Sequence, residues 1–465
     1  MAFSGKREVD MLGGSLVKNI LVYSFPLIVS NLLQVLYSAA DMIVVALSGA
    51  EGAIGAIGTT GTLITLVVNL FIGFSVGANA VVARRIGAKN REQADRSAHT
   101  AIVMAVLFGL LGAAVGIAVS RPALAAMGAE GEILRMSNLY SVIRFAGVPF
   151  MSLTNFSIAI YRARGDTRTP LLMLSLSGLA NVLMNLFFVL VLHMDVDGVA
   201  LATVLSQVLS AFLLLRGHFR YNGWCQLSFR KLRIDWHEFW EILRVGVPAG
   251  VQGALYSVSN LIISSSVISV NNALCPGGSA ILDGNSAAIN IGSFITTVAD
   301  ALNLCCVTFI SQHLGARKYR RMGRVFLDFF LITEGFMLVF VGLIALFRIP
   351  LLHLYVTDPA AIDAATLRLR WVVYTYPFGA AMSLCSGMLR GLDKSLTAAT
   401  ITLIFTCVLR IVWIYTVFAR FRTLTAIYVS YPISFIIAAI LHFVFSMIVW
   451  NRLKREHPEP ALEGV

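Results

Sequence analysis

Twelve stretches of this chain are each long and apolar enough to cross a bilayer: residues 17–48, 53–83, 97–119, 136–161, 170–193, 196–216, 239–270, 284–314, 323–347, 365–389, 396–418 and 424–450. A span takes about 20 such residues, since a helix rises only about 1.5 Å per residue. Several exceed that length, so tilted or projecting helices are expected. Hydrocarbon offers no partner to backbone N–H and C=O groups, so the segments must be helical. The expectation is an all-α polytopic membrane protein with twelve transmembrane helices. Of the 465 residues, 58% are hydrophobic and only 13% charged, against about 25% charged in soluble domains. The polar start, "MAFSGKREVDMLGGSLVKN", leads into an apolar run too long for a cleaved signal peptide, so the first span is expected to be retained.

The net charge of +12 would suggest a nucleic-acid partner in a soluble chain. Here the basic residues alternate from loop to loop. One set of loops holds 26 of the 36, among them Arg84, Arg85, Lys89, Arg162, Arg164, Arg230, Lys231, Arg317, Lys318 and Arg390. The opposite loops hold only Arg121, Arg135, Arg348, Arg368, Arg370, Arg420 and Arg422. Cytoplasmic loops collect Lys and Arg, so both termini are expected in the cytoplasm of a multi-pass cell-membrane protein, with no nucleic-acid partner. The six cysteines show neither a metal-ligand spacing nor a disulfide framework.

The chain also repeats itself. "ARRIGAKNREQADRSA" (83–98) matches "SQHLGARKYRRMGRVF" (311–326), and "FPLIVSNLLQVLYS" matches "VPAGVQGALYSVSN" with Pro26 on Pro248. "YRARGDTRTP" pairs with "MLRGLDKSLT". Two pseudo-symmetric six-helix bundles follow: residues 1–216, a basic cytoplasmic linker at 217–238, and residues 239–465 with a short tail. Parallel repeats of this kind occur in transporters, with a site between or within the halves.

Asp41 is the feature such a span should avoid, since a carboxylate at bilayer depth costs roughly 2.5–3.5 kcal/mol on insertion scales. Ser30, Gln34, Tyr37 and Asp41 share one face of the first helix, and Pro26 one turn earlier favours a bend. The corresponding seventh span carries Gln252, Tyr256 and Ser259, with Ile263 in place of the carboxylate. Ser177, Asn181 and Asn185 line the fifth span, Thr203, Ser206 or Gln207, and Ser210 the sixth, and Ser286, Asn290, Ser293, Thr297 and Asp300 the eighth. Interhelical hydrogen bonding accounts for the Ser and Thr positions. The run with Asp41 and the amides is read as a water-accessible cavity, because ionisable groups at this depth mark ion or substrate paths. Asp41 there either exchanges protons, or joins Asn181, Asn185 and Thr203 as an oxygen site for a small cation, or pairs with a cationic substrate. Glu334 and Arg410 are expected to pair across the second half, with Asp300 joining them as a charge network or static bridge.

These residues carry a family resemblance over nearly the whole chain. "FPLIVSNLLQVLYSAADMIVV", "FSVGANAVVARRIGAKN", "RARGDTRTPLL", "GVALATVLSQ", "VGVPAGVQGALYSVSN" and "LRGLDKS" together resemble the multidrug and toxic compound extrusion (MATE) family. The resemblance implies two six-helix bundles forming a V around a central cavity, and efflux of organic, often cationic, compounds driven by inward H⁺ or Na⁺. It places Asp41, Asn181 and Thr203 on the family's cation site, a possible Na⁺ site. Asn185 stands where some members have a second carboxylate, which favours H⁺. Gln34, Tyr37 and Asn155 match positions lining the drug cavity, and the polar faces of Gln207, Gln252 and Tyr256 extend the candidate substrate path. The acids some members carry in the seventh and tenth helices are absent, and Arg410 aligns roughly with Asn181.

The reading is therefore a secondary active antiporter for multidrug efflux, exporting organic, cationic or amphipathic compounds by alternating access coupled to inward H⁺ rather than Na⁺. It is expected as a monomer, with no cofactor beyond its coupling ion. The alternative is a flippase of lipid-linked saccharides, for which Asp41 has the wrong sign and Arg410 is the one deep cation. A membrane-embedded enzyme or receptor is the remote reading. No loop holds a nucleophile–base pair, a phosphate cradle or a metal cluster.

Overall fold

The computed structural model describes residues 8–48, 53–126 and 131–457. The helices are α1 (Leu16–Ser48), α2 (Ala53–Gly87), α3 (Arg91–Ala126), α4 (Gly131–Ala146), α5 (Val148–Arg164), α6 (Arg168–Val191) and α7 (Val196–Arg220). They continue with α8 (Trp236–Leu274), α9 (Ala280–Gly315), α10 (Tyr319–Leu346), α11 (Arg348–His353), α12 (Pro359–Trp371), α13 (Tyr376–Gly391), α14 (Ser395–Phe421) and α15 (Leu424–Glu456). The protein is an all-α polytopic membrane protein. Among the described residues ten helices are each long and apolar enough to span a bilayer, and α4 with α5 makes an eleventh.

Two expected spans are interrupted. The fourth bends by 44° where α4 meets α5. Pro149, in the first turn of α5, cannot donate a backbone N–H and crowds the preceding turn. The tenth expected span is split into α12 and α13 by a 3₁₀ turn at Val373–Thr375, with Pro377 opening the second piece.

The chain forms two compact units, Met1–Ala254 and Leu255–Val465, with α8 continuous through the boundary. In unit 1 the core joins α2, α3 and α5 through small residues such as Ala78, Ala98, Ala101 and Ala159, with Phe156 and Met104 filling the gaps. Lipid gives helices no hydrophobic drive to associate, so close backbone approach supplies the packing. Gly73 and Gly77 of α2 meet Gly246 and Gly250 of α8, and a methyl on Gly73 would coincide with the Gly250 backbone. Each helix thus presents a GxxxG face. Arg84 pairs with Glu241 beside this crossing, and Arg85 with Glu238 at 3.0 Å.

The basic segment after α7 is packed against α3. Cys225 N–H donates to Asp95 Oδ1 at 2.6 Å, Ser228 N–H to His99 Nε2 at 3.0 Å, and Asp235 N–H to Thr100 Oγ1 at 3.0 Å. The turn before α6 is similarly tied down. Asp166 Oδ1 accepts the N–H groups of Arg168 and Thr169 at 3.1 and 3.0 Å, capping the helix. Gly165 there has φ +93°, and any side chain would meet the Val9 carbonyl at 2.7 Å.

In unit 2, α9 packs on α10, α12 and α13, and α13 packs on α15. The core gathers Ile263, Val267, Val372, Ile427, Tyr428, Tyr431 and Phe435. Helix α14 is interrupted by π turns at Leu403–Val408 and Ile414–Phe418.

Candidate functional site

Helix α6 shows how sequence pattern places the site. Leu172, Leu176, Leu179 and Leu183 recur at helical spacing and are 53–59% exposed, a lipid-facing row. Ser177, Asn181 and Asn185 lie on the other face and are 2%, 5% and 0% exposed. A membrane helix buries its polar face against its own bundle because lipid cannot hydrogen-bond it.

Asn185 Nδ2 donates to Asp41 Oδ1, joining α6 to α1. The same amide lies 3.5 Å from Asn181 Oδ1. Asp41 is half-buried. Asn181 Nδ2 and Asn185 Oδ1 are buried without a hydrogen-bond partner. A π turn at Phe187–Val191 follows directly, a distortion common beside functional sites. Thr203, placed with Asp41 by resemblance, turns its hydroxyl into its own helix and donates to the Val199 carbonyl at 2.9 Å. Tyr37 packs its ring on Gly178 and donates to the Ser175 carbonyl at 3.3 Å, so it helps hold α1 against α6. Gln34 is exposed on the same helix, and Asn155 of α5 is half-buried.

The sequence reading passed over Arg144. Its charge acts on Asp41 and on the Tyr140 phenol, which Asp41 also reaches. Its Nε and Nη1 are buried and unpartnered, and among the described residues it makes no ion pair with Asp41. With Gln207, Ile64, Val68 and Met151 it lines a crevice with room for about one water. The available signal was a lone arginine one turn after Tyr140 inside an apolar span. The unit 1 site is thus a carboxylate with an amide donor on one oxygen and a guanidinium close by.

The MatE family model matches residues 26–187 and 248–416, one match in each half of the repeat. The chain belongs to the MatE family. It is 24% identical over 87% of its length, and 89% of the relative's, to the "Probable multidrug resistance protein YpnP" of Bacillus subtilis. It is also 24% identical to an "FAD transporter" of Shewanella oneidensis, over 64% of this chain and 65% of that one. A solved structure described as the "Outward-facing conformation of a multidrug resistance MATE family transporter of the MOP superfamily" superposes with TM-score 0.88. That likeness covers 97% of this chain and 100% of the other at 22% identity, and shows the shared fold. This MatE chain is a membrane transporter and not an enzyme.

The second half of the MatE chain departs from the expected charge network. Asp300, Glu334 and Arg410 are not ion-paired to one another among the described residues. Asp300 is exposed and feels the charge of Arg390. Glu334 Oε1 is buried without a partner. Arg410 instead lies over aromatic faces, 4.1 Å from the Tyr431 ring and 5.7 Å from that of Tyr256. Ring quadrupoles hold the guanidinium where a carboxylate was expected. Gln252 and Tyr256 are both half-buried, one turn apart on α8.

Proposed function

We propose that this MatE transporter is a secondary active antiporter that exports small organic ions by alternating access, coupled to inward proton flow through Asp41. The observation that carries the reading is the half-buried Asp41 carboxylate bonded to Asn185 inside unit 1. Protonation removes the charge and turns an acceptor oxygen into a donor, so the contacts with Asn185 and Arg144 change with each proton bound. An ion binding one conformation better than the other shifts the balance between them, which is how a gradient does work. An inward proton gains about 2.3 kcal/mol per 100 mV of membrane potential.

The donor set supports H⁺ over Na⁺. A sodium site would draw on Asp41, Asn181 and Thr203. Here an amide N–H already occupies one carboxylate oxygen and the Thr203 hydroxyl is turned to its own helix, which leaves a metal ion short of oxygen ligands, whereas a proton needs only one. The polar side chains proposed to meet cargo are Gln34, Tyr37, Asn155, Gln207 and Gln252 of unit 1 and Tyr256 of unit 2. Relatives named for multidrug resistance and for FAD transport support a small organic cargo. The transporter acts as a monomer in the cell membrane with both termini cytoplasmic.

Dye efflux from proteoliposomes tests this, with pH and Na⁺ gradients imposed separately. Efflux driven by the pH gradient alone is expected. Efflux driven only by Na⁺, or by neither gradient, would contradict the proposal.

A further inference from the structure

Unit 2 buries two arginines, and among the described residues no acid is paired with either. Arg410 is fully buried; its Nε donates to Ser434 Oγ at 2.8 Å, while Nη1 and Nη2 have no hydrogen-bond partner. Its guanidinium carbon lies 4.1 Å from the Tyr431 ring, 4.8 Å from Phe435 and 5.7 Å from Tyr256. Arg368, 6% exposed, lies 5.5 Å from the same Tyr431 ring and 5.4 Å from Tyr428. Arg368 Nη1 donates to Asn285 Oδ1 at 2.7 Å, which also accepts from the Tyr428 hydroxyl at 3.0 Å, and Arg368 Nε is unpartnered. Neither arginine is ion-paired among the described residues.

A buried guanidinium without a counter-charge is strongly unfavourable, and ring faces return only part of its lost hydration. They leave Nη1 and Nη2 of Arg410 without an acceptor in hydrogen-bond geometry, with the Tyr256 phenol beside them. Nη1 and Nη2 of Arg410 form the paired donors that match a carboxylate or phosphate in a bidentate contact. π turns flank Arg410 on both sides, a distortion that recurs at functional sites. Tyr256 links the cluster to the α8 face that carries Gln252. In the internal repeat, Ile263 stands where unit 1 has Asp41, and Arg410 roughly where it has Asn181. At these corresponding positions unit 1 therefore offers a carboxylate and unit 2 a guanidinium that is not ion-paired among the described residues.

We infer that the Arg410–Arg368 cluster of unit 2 binds the anionic group, a carboxylate or phosphate, of the organic cargo. The inference rests on the exporter reading and narrows its cargo from small organic ions to zwitterions and anions that pair an aromatic or apolar body with an acidic group.

The test uses the full chain purified in detergent, with thermal stability recorded against benzoate, phenyl phosphate and benzylamine, with and without phosphatidylglycerol. Saturable stabilisation by both anions, none by benzylamine, and binding on the order of tenfold weaker in Arg410→Met are expected for a lost bidentate contact. Arg410→Lys, which keeps the charge but loses the fork, is expected to weaken binding as well, and serves if the Met variant does not fold. No stabilisation of the wild type by either anion, or equal binding by both variants, would overturn the inference. A response to phosphatidylglycerol alone would assign the cluster to a lipid headgroup and overturn it too. A separate arm compares wild-type export of a xanthene dye with a free carboxylate and of its methyl ester. Export favouring the carboxylate supports the inference, and export of the ester alone contradicts it while leaving the exporter reading intact. Export of neither dye counts against the exporter reading, and the binding arm still decides the cluster.

Discussion

The side-chain amide of Asn185 donates to the carboxylate of Asp41, a bond between α6 and α1 that spans 144 positions of sequence. It occupies one carboxylate oxygen with a donor, and Arg144 adds a positive charge nearby. Both features work against a metal cation bound at that oxygen.

Asn185→Asp removes the donor and adds a second carboxylate, which with Asp41 makes the hard-oxygen pair a small cation prefers. Export by the double variant Asn185→Asp, Arg144→Met is expected to become Na⁺-dependent, as measured by dye efflux under a Na⁺ gradient at symmetrical pH. Export indifferent to Na⁺ would mean that these two residues do not set ion choice.

The GxxxG crossing of α2 and α8 leaves no room for a side chain at Gly73 or Gly250. Gly250→Leu is expected to destabilise unit 1 by about 3 kcal/mol, at the upper end for overpacking, or to prevent folding. Gly253→Ala meets its nearest neighbour, Asn69, at an ordinary 3.4 Å and is expected to fold normally. Melting temperatures by scanning fluorimetry compare the two.

Cysteine labelling tests both packing and topology. Burial pushes the Cys225 thiol up to about 12, so almost none of it is thiolate at neutral pH, and the folded linker shields it. Cys275 is half-buried in the turn between α8 and α9, on the side opposite the basic loops. An impermeant maleimide applied to intact spheroplasts is expected to label Cys275, with labelling abolished by Cys275→Ser. Labelling at Cys225 under those conditions would contradict both the packed linker and the proposed orientation.

Asp166 caps α6 through two backbone N–H groups and accepts the Thr169 hydroxyl at 2.6 Å. Asp166→Ala is expected to cost about 0.5–2 kcal/mol, the usual range for a lost cap, without changing ion dependence. Thermal unfolding measures the first and gradient-driven efflux the second.

Much of this was legible in the sequence because lipid leaves a chain few options. Apolar run lengths predicted the spans, and the helical spacing of Ser177, Asn181 and Asn185 predicted the buried face of α6. The breaks were less legible. Pro149 and Pro377 stand inside runs whose hydropathy is continuous, and average hydropathy is blind to a missing N–H. Arg144 escaped because the pattern of α4 alone does not say which helix its side chain meets. For Arg410 the wrong partner was expected. Opposite charges suggested Glu334, whereas Tyr431 and Phe435, one turn apart on α15, present the faces that receive it.

The most direct test of the coupling claim is proton release. Cargo dye is added to the purified transporter in weakly buffered detergent solution, and a pH indicator follows the change. Wild-type protein is expected to release protons in proportion to dye bound, and Asp41→Asn, folded to the same melting temperature, to release none. Equal release from both proteins would contradict the account.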